Sequence, residues 1–187
     1  DSPMAVNVTD VFLKYLDCLD EEMQQVLKSH ENPFSFPGLR LVRTIAESKA
    51  INQIRGSCII MAGSGMCTGG RIKHHLANQI NRPESTVLFV GYQAQATLGR
   101  QILEGAEEIR IHGKMHRVRA RIAQVHGFSA HADRGDLESW LGHFKDKPRK
   151  VFLTHGDEEV STAFGERLRG AGYDVEVPEY KKVWELD

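Results

Sequence analysis

The sequence has few cysteines, no long apolar run and almost no surplus of charge. Its three cysteines, Cys18, Cys58 and Cys67, are an odd number without a Cys-x-x-Cys pair, which favours a reducing compartment over a disulfide framework and predicts a cytoplasmic protein. The apolar stretch "SCIIMAG" is far too short to cross a bilayer, so no membrane association is expected. The 24 Lys and Arg residues nearly balance the 25 Asp and Glu residues, so any nucleic-acid site must be a local patch.

The composition that remains is typical of a folded globular protein. With 187 residues, of which 41% are hydrophobic and 26% charged, the chain can bury one large core or two small ones. The opening "DSPMAV" has no initiating Met and is typical of a strand leading into a helix. We therefore expect the chain to be part of a longer protein.

Apolar spacing predicts the elements of the first part of the chain. Between Ala5 and Ser29 apolar residues recur at three- and four-residue steps, which predicts helix with a fresh start at Asp20. "LRLVRT" (39–44) indicates a short strand. "SCIIMAGSGMCTGGRIKHHLANQI" and "TVLFVGYQAQATLGRQILEG" each indicate an apolar strand, a turn and a helix. Continuously apolar strands followed by helices predict a parallel sheet covered by helices on both faces.

After about Gly105 the pattern changes. "EIRIHGKMHRVRARIAQV" predicts two strands around a Gly-Lys turn, because charged and apolar residues alternate. The run then gives a helix in "RGDLESWLGHF", a buried strand in "KVFLTH", a second helix, and a last strand in "YDVEVPEY". We predict a first domain of residues 1–108 and a second segment of residues 109–187.

The turn "GSGMCTGG" (63–70) joins a predicted strand to a helix, where ligands collect in parallel α/β sheets. Small residues let the backbone approach a ligand, and free N–H groups at a helix start favour an anion, so Ser64 and Gly65 are candidate phosphate contacts. The turn is neither Gly-x-Gly-x-x-Gly nor a Gly-Lys-Ser/Thr loop, so ordinary nucleotide binding is not expected. The alternative is a tight turn whose glycines only satisfy its dihedral angles.

Three further residues are candidate phosphate contacts at the same edge. Thr97 is expected to cap a helix, and Arg71 and Arg100 to lie in the first turns of their helices. Guanidinium groups match phosphate oxygens, whereas single arginines on solvated helix faces are more common.

Arginines alternate along one predicted strand. Arg117, Arg119 and Arg121, with Lys114 and His116, could form a basic stripe for nucleic acid. The chain has enough acidic residues to neutralise such a stripe, so an exposed face paired with acids is the favoured interpretation.

Two histidines follow strand-like segments. His155 ends a predicted strand before Gly156 and Asp157, a position suited to binding a metal. His131 lies in a small-residue turn before a predicted helix, where imidazole can donate a proton near neutral pH, and Asp133 could orient it or cap the helix. Spacing alone does not separate these roles from two ordinary turn histidines, and one imidazole cannot hold a hydrolytic zinc ion.

These segments together resemble the carboxyl-terminal portion of the β-CASP branch of the metallo-β-lactamase superfamily. "DSPMA", "ENPFSFPGLRLVRTIAESKAIN", "IIMAGSGMCTGGRIKHHL", "TVLFVGYQAQATLGRQIL", "GFSAHAD" and "VFLTHGD" occur in the family's order. Six ordered matches are highly specific, although each alone would be weak. Members are zinc-dependent ribonucleases, including bacterial and archaeal RNA-processing enzymes and the nuclease subunit of the eukaryotic pre-mRNA 3′-end cleavage factor.

The resemblance implies a fold and residue roles. The fold would be α/β: a parallel-sheet β-CASP domain with helices on both faces (1–108), plus the C-terminal part of a metallo-β-lactamase αββα fold (109–187). His131 would be the motif B histidine that assists leaving-group protonation beside the scissile phosphate. His155 would be the motif C zinc ligand, of the kind found in relatives that act on RNA. Ser129 would lie against a phosphate.

The sequence also departs from the family. The His-x-His-x-Asp-His metal motif, an aspartate ligand and acidic motif A lie upstream in family members and are absent here. A two-zinc site would therefore be incomplete, and we expect the isolated chain to be inactive and to bind zinc poorly. The expected partners are RNA, the missing amino-terminal half of the same protein, and a second copy, because truncated sheets expose edges that can pair.

Three functions fit these observations. The first is part of a zinc-dependent RNA phosphodiester hydrolase, an endonuclease, a 5′ exonuclease or both. The second is a non-catalytic RNA-binding relative of the same fold, which degenerate upstream metal positions would indicate. The third is a doubly wound domain that binds a small molecule in an apolar pocket beside the glycine-rich turn.

Overall fold

The computed structural model describes residues 1–29, 34–128 and 131–185. The chain packs as two compact units, Asp1–Gly127 and Phe128–Asp187. No helix of the described part is long and apolar enough to cross a membrane.

Local capping sets the helices of the first unit. They are α1 (Pro3–Phe12), α2 (Glu21–Lys28), α3 (Ile45–Ala50), α4 (Ile72–Gln79) and α5 (Leu98–Leu103). Ser2 caps α1, and Asp20 caps α2 as the sequence predicts, each accepting a hydrogen bond from a backbone N–H of the first turn. The helix expected between Ala5 and Ser29 is therefore two helices, separated by a short 3-10 turn at Leu16–Cys18.

The strands of the first unit form two pairs. Strand β1 (Thr86–Phe89) pairs in parallel with β4 (Arg121–Gln124). Strands β2 (Glu108–Ile111) and β3 (Lys114–Arg117) form an antiparallel hairpin. The α/β class, with parallel pairing, is confirmed.

Two strands expected from apolar runs are wrong. Neither "LRLVRT" nor "SCIIMAG" is a strand, and Ile59 is 90% exposed while Met61 is 65% exposed. An apolar run becomes a buried strand only when another strand pairs with it, and within the described residues no strand lies beside this segment.

The predicted arginine-bearing strand is interrupted, which corrects a second expectation. Arg117 ends β3 and Arg121 begins β4, so the two belong to different strand pairs. Between them the N–H groups of Arg119 and Ala120 both donate to the Ile80 carbonyl at 2.9 Å, and Ala120 is buried. Because the chain turns inward here, the arginines form no continuous stripe.

The core of the first unit lies between α4, α5 and the strands. Ile109 and Ile111 alternate inward along β2 and are almost fully buried. The core consists of Cys67, Leu76, Ile80, Phe89, Ile102, Ile109, Ile111 and Ala120.

The second unit contains α6 (Arg134–Gly142), β5 (Val151–Phe152), α7 (Glu158–Gly170) and β6 (Val175–Glu176). Strands β5 and β6 are parallel. The core of this unit is formed by Leu141, Leu168 and Val175, against which Val151, Leu153, Phe164 and Tyr173 pack.

The packing units divide the chain at a different place from the predicted domains. Strands β2 to β4 supply core residues to the first unit, although they follow residue 108 in sequence. How residues pack together and which domain they belong to are separate questions, so the boundary between residues 1–108 and 109–187 stays a prediction.

Candidate functional site

His131 stands directly before α6 in the second unit. Asp133 caps this helix: its Oδ1 accepts from the Asp136 N–H at 2.9 Å, and Asp136 Oδ2 accepts from the Asp133 N–H at 3.0 Å. This reciprocal capping box fixes the backbone two residues after His131, whose side chain is exposed. Of the two roles expected for Asp133, helix capping is observed. Ser129 lies outside the described residues.

His155 lies between β5 and α7 with a positive φ of 69°. Left-handed backbone at a residue other than glycine costs about 1–2 kcal/mol and is more frequent at functional sites. A Cβ at the following Gly156 would lie 2.6 Å from Ser161 Oγ, a contact that rotation of the serine side chain can relieve. The His155 side chain is exposed, so its imidazole is accessible to a ligand.

The described residues do not complete a zinc site. Among them, no group of three or more His, Cys, Asp or Glu side chains is placed to hold a metal ion. His155 offers one ligand, whereas a catalytic zinc takes about three from protein.

In the first unit, the loop Gly63–Gly70 carries two of the candidate RNA contacts. Ser64 Oγ accepts from the Gly69 N–H at 3.4 Å, and the Ile72 N–H donates to the Gly63 carbonyl at 3.1 Å. Gly70 has a φ of 72°, and a Cβ there would lie 2.4 Å from the Gly63 oxygen. Dihedral angles and close packing therefore require this glycine. Gly65 differs, because a Cβ at this position would meet no atom within 4 Å.

A second loop, before α5, adjoins the first through Met66. The Gly99 N–H donates to the Met66 carbonyl at 3.1 Å, and the Ala94 N–H donates to Met66 Sδ at 3.2 Å. Thr97 caps α5 as predicted, accepting from the Arg100 N–H at 3.2 Å. The structure thus brings the loop that carries Ser64 and Gly65 against the start of α5, where Thr97 and Arg100 lie.

The two candidate arginines have acidic partners within the chain. Arg100 Nε lies 2.6 Å from Glu104 Oε1, and its side chain is partly exposed. Arg71 Nη1 donates to Asp1 Oδ1 at 2.5 Å, and Nη2 donates to the Arg43 carbonyl at 2.8 Å. Contacts of these two arginines with RNA stay predictions. The alternative, an arginine on a solvated helix face, does not describe Arg71, because its side chain is 19% exposed.

Sequence reasoning missed the buried network around Asp1. Besides Arg71, the Asp1 carboxylate binds His75 Nε2 at 2.7 Å and accepts from Ser48 Oγ at 2.6 Å. Burial lowers the pKa of His75 most, and the positive charge of Arg71 lowers it further. The sequence signal for an inward imidazole is the pair of adjacent histidines at 74 and 75, because neighbouring side chains on a helix point about 100° apart.

The buried thiol of Cys67 lies in the same region. Burial raises the pKa of the Cys67 thiol to about 11, so it remains protonated near neutral pH.

Two family models match the chain. The model described as the Beta-Casp domain matches residues 1–102, and the one described as the Zn-dependent metallo-hydrolase RNA specificity domain matches residues 115–178. The chain belongs to the β-CASP family of metallo-β-lactamase-fold ribonucleases. The family and fold implied by the six ordered sequence motifs are confirmed.

Curated relatives of this β-CASP chain are longer proteins. The chain is 38% identical over 180 residues to Ribonuclease TTHA0252 of Thermus thermophilus, covering 96% of the chain and 41% of that protein. It is 31% identical over 172 residues to Transcription termination factor FttA of Methanocaldococcus jannaschii, covering 89% and 27%. It is 30% identical over 159 residues to an RNase J-like protein of the same organism, covering 85% and 35%. The chain thus spans about two-fifths or less of these relatives.

Proposed function

We propose that this β-CASP chain is part of a zinc-dependent ribonuclease in which it supplies one wall of the RNA cleft. The matched description of a Zn-dependent metallo-hydrolase RNA specificity domain and the ribonuclease named among the relatives support this function. The cleavage assay distinguishes an endonuclease, a 5′ exonuclease and an enzyme with both activities.

The observation that carries the proposal is the pair of exposed imidazoles at fixed backbone positions. His131 precedes the capping box of α6, and His155 is held in left-handed backbone before α7. In the proposal His131 donates a proton to the leaving oxygen, since imidazole gains and loses protons near neutral pH. His155 contributes one zinc ligand. Zinc, when bound, would supply an activated water, with two ions expected in the whole protein.

The experiment uses the longer protein that carries this chain, assayed on end-labelled RNA with zinc. We expect His131→Ala to lower kcat by about 10²- to 10⁴-fold, the usual contribution of a general acid. His155→Ala should lower both zinc content and cleavage. The matched control is His143→Ala, because His143 is an exposed histidine at the end of α6 whose ring Nδ1 lies 2.6 Å from the Ser139 carbonyl. Cleavage by His131→Ala at the wild-type rate would contradict the assignment.

A second candidate is an RNA-binding relative that cleaves nothing. Several relatives are named transcription termination factors, a name that states no cleavage activity. RNA binding with chelator present, without turnover when zinc is added to the whole protein, would support it. The isolated chain is expected to be inactive in either case. Cytoplasmic localisation, a homodimer and pairing with the missing amino-terminal half stay predictions.

A further inference from the structure

A second group of basic side chains lies in the first unit, at the tip of the β2–β3 hairpin. The hairpin-tip cluster consists of Lys73 and His74 in the first turn of α4, His112 in the hairpin turn, and His116 on β3. The rings of His74 and His112 stack with centroids 4.5 Å apart and planes at 24°. The cluster is therefore a three-dimensional feature that combines two elements distant in sequence.

The hairpin holds His112 in a defined position. His112 and Gly113 form a two-residue turn with φ of 49° and 79°, the positive pair that a type I′ turn requires. The strands on either side are fixed to the core, because Ile109 and Ile111 of β2 are buried. A histidine stands where asparagine or glycine is usual, although histidine is one of the few residues enriched in this backbone region. The exposed imidazole is thus presented by a rigid support.

The cluster is not neutralised by acids. Elsewhere in the unit, basic groups pair with carboxylates, as in Arg43–Asp10, Arg100–Glu104 and Arg117–Glu108. Among the described residues, none of the four cluster side chains forms an ion pair with an acid. The pKa of His112 is lowered by partial loss of water contact and then by His74, Lys73 and His116 in turn. Every charged neighbour acting on this ring is therefore a cation or a potential one.

We propose that the hairpin-tip cluster binds backbone phosphates of single-stranded RNA and takes up protons as it does so. Two stacked imidazolium rings repel each other, and a phosphate beside them removes that repulsion. Lys73 adds a further basic side chain beside the two rings. Neutral imidazole faces also suit stacking with unpaired bases, which distinguishes RNA from an acidic peptide as the partner. This proposal rests on RNA being the partner of the protein, but not on cleavage.

The sign of the pH effect follows from linkage. In the free protein the pKa of His112 is lowered by partial loss of water contact and by its basic neighbours, whereas a bound phosphate favours the charged ring and raises that pKa. Binding is therefore accompanied by proton uptake, and affinity rises as pH falls through the region between the bound and free pKa values. An average uptake of about half a proton over these two pH units gives roughly a tenfold change in affinity between pH 7.5 and pH 5.5.

The experiment measures binding of a fluorescent single-stranded oligouridylate to the 187-residue chain by anisotropy, with chelator present. Wild type should bind roughly tenfold more tightly at pH 5.5 than at pH 7.5. The double variant His74→Gln/His112→Asn should lose most of this difference. The slope of its log affinity against log salt concentration should become shallower by about 1.4, which is about 0.7 for each of the two lost phosphate contacts. Asparagine preserves the type I′ turn, so an unchanged melting temperature confirms that the variant is folded.

Two controls make the outcome decisive. His143→Gln removes an exposed histidine from α6 and should leave the pH effect unchanged. Because chelator is present the assay reads binding alone, so that failed cleavage and failed binding remain distinguishable. Lys73→Gln should weaken binding at both pH values. A pH effect equal in wild type and the double variant overturns the proposal. Polyglutamate that binds as tightly as the RNA at equal salt overturns the choice of RNA.

Discussion

At the residue scale, the Asp1 carboxylate determines how two side chains of α4 are used. The Asp1 side chain is fully buried, and it is shared between the guanidinium of Arg71 and the imidazole of His75. Arg71 also donates to the Val42 and Arg43 carbonyls, so that one side chain joins the start of the chain, the segment before α3 and the glycine-rich loop. A buried charge that loses its partner lowers the free energy of unfolding, so substitutions in this network measure how much the network stabilises the fold.

We predict that Arg71→Met lowers the free energy of unfolding by about 3–5 kcal/mol, because it leaves a buried carboxylate without its cation. Arg82→Met is the matched control, since Arg82 Nε pairs with Glu84 at 2.9 Å with both side chains at least half exposed. Its loss should be about 0–1 kcal/mol, as for other surface pairs. Urea denaturation of the two variants measures the difference. Equal losses would show that the Asp1 network contributes no more than a surface ion pair.

Residue roles set by local backbone were predictable, and those set by distant contacts were not. Thr97 and Asp133 have the residue types that cap helices, and each accepts from an N–H three residues later in the chain. Arg71 looks like any arginine at a helix start, and its acidic partner lies 70 residues away. No spacing rule within one sequence identifies such a partner.

At the element scale, elements whose pairing is local were predictable. The β2–β3 hairpin and helices α4 to α7 follow from alternation, periodicity and capping residues. The segment "SCIIMAG" was mistaken for a strand because apolar content reports a preference for burial, not the presence of a neighbour. Ile59 at 90% exposure shows that this preference is unmet in the described part of the chain.

The capping box of α6 gives a prediction for the element next to His131. Asp133→Ala removes the acceptor for the Asp136 N–H and should destabilise α6 by about 1 kcal/mol. Hydrogen exchange should show faster exchange in the first turn of α6, from Arg134 to Leu137. Asp133→Asn is the matched control, since asparagine caps as well as aspartate. Unchanged exchange in Asp133→Ala would mean that the capping box does not determine where this helix begins.

At the scale of the whole molecule, the described residues form two hydrophobic cores, one in each unit. The matched family domains end at residue 102 and begin at residue 115, whereas packing divides the chain after Gly127. Strand β2 and the segment before β4 account for the difference, because Ile109, Ile111 and Ala120 are buried in the first core. The pattern of apolar and charged residues changes near Gly105, which the sequence shows. That pattern does not show which core the following strands enter.

The second core rests on few buried side chains, so one truncation there should have a large effect. Leu168 of α7 is 2% exposed, and Leu168→Ala is expected to destabilise the second unit by about 2–5 kcal/mol. Hydrogen exchange should quicken in residues 134–176, while the first unit keeps its protection because its core loses no contact. Val160→Ala on the same helix is the control: Val160 is 65% exposed, and its truncation should change stability by no more than about 0.5 kcal/mol. An equal loss of protection across residues 1–127 in Leu168→Ala would contradict separate cores, since it would mean that the chain unfolds as one cooperative unit.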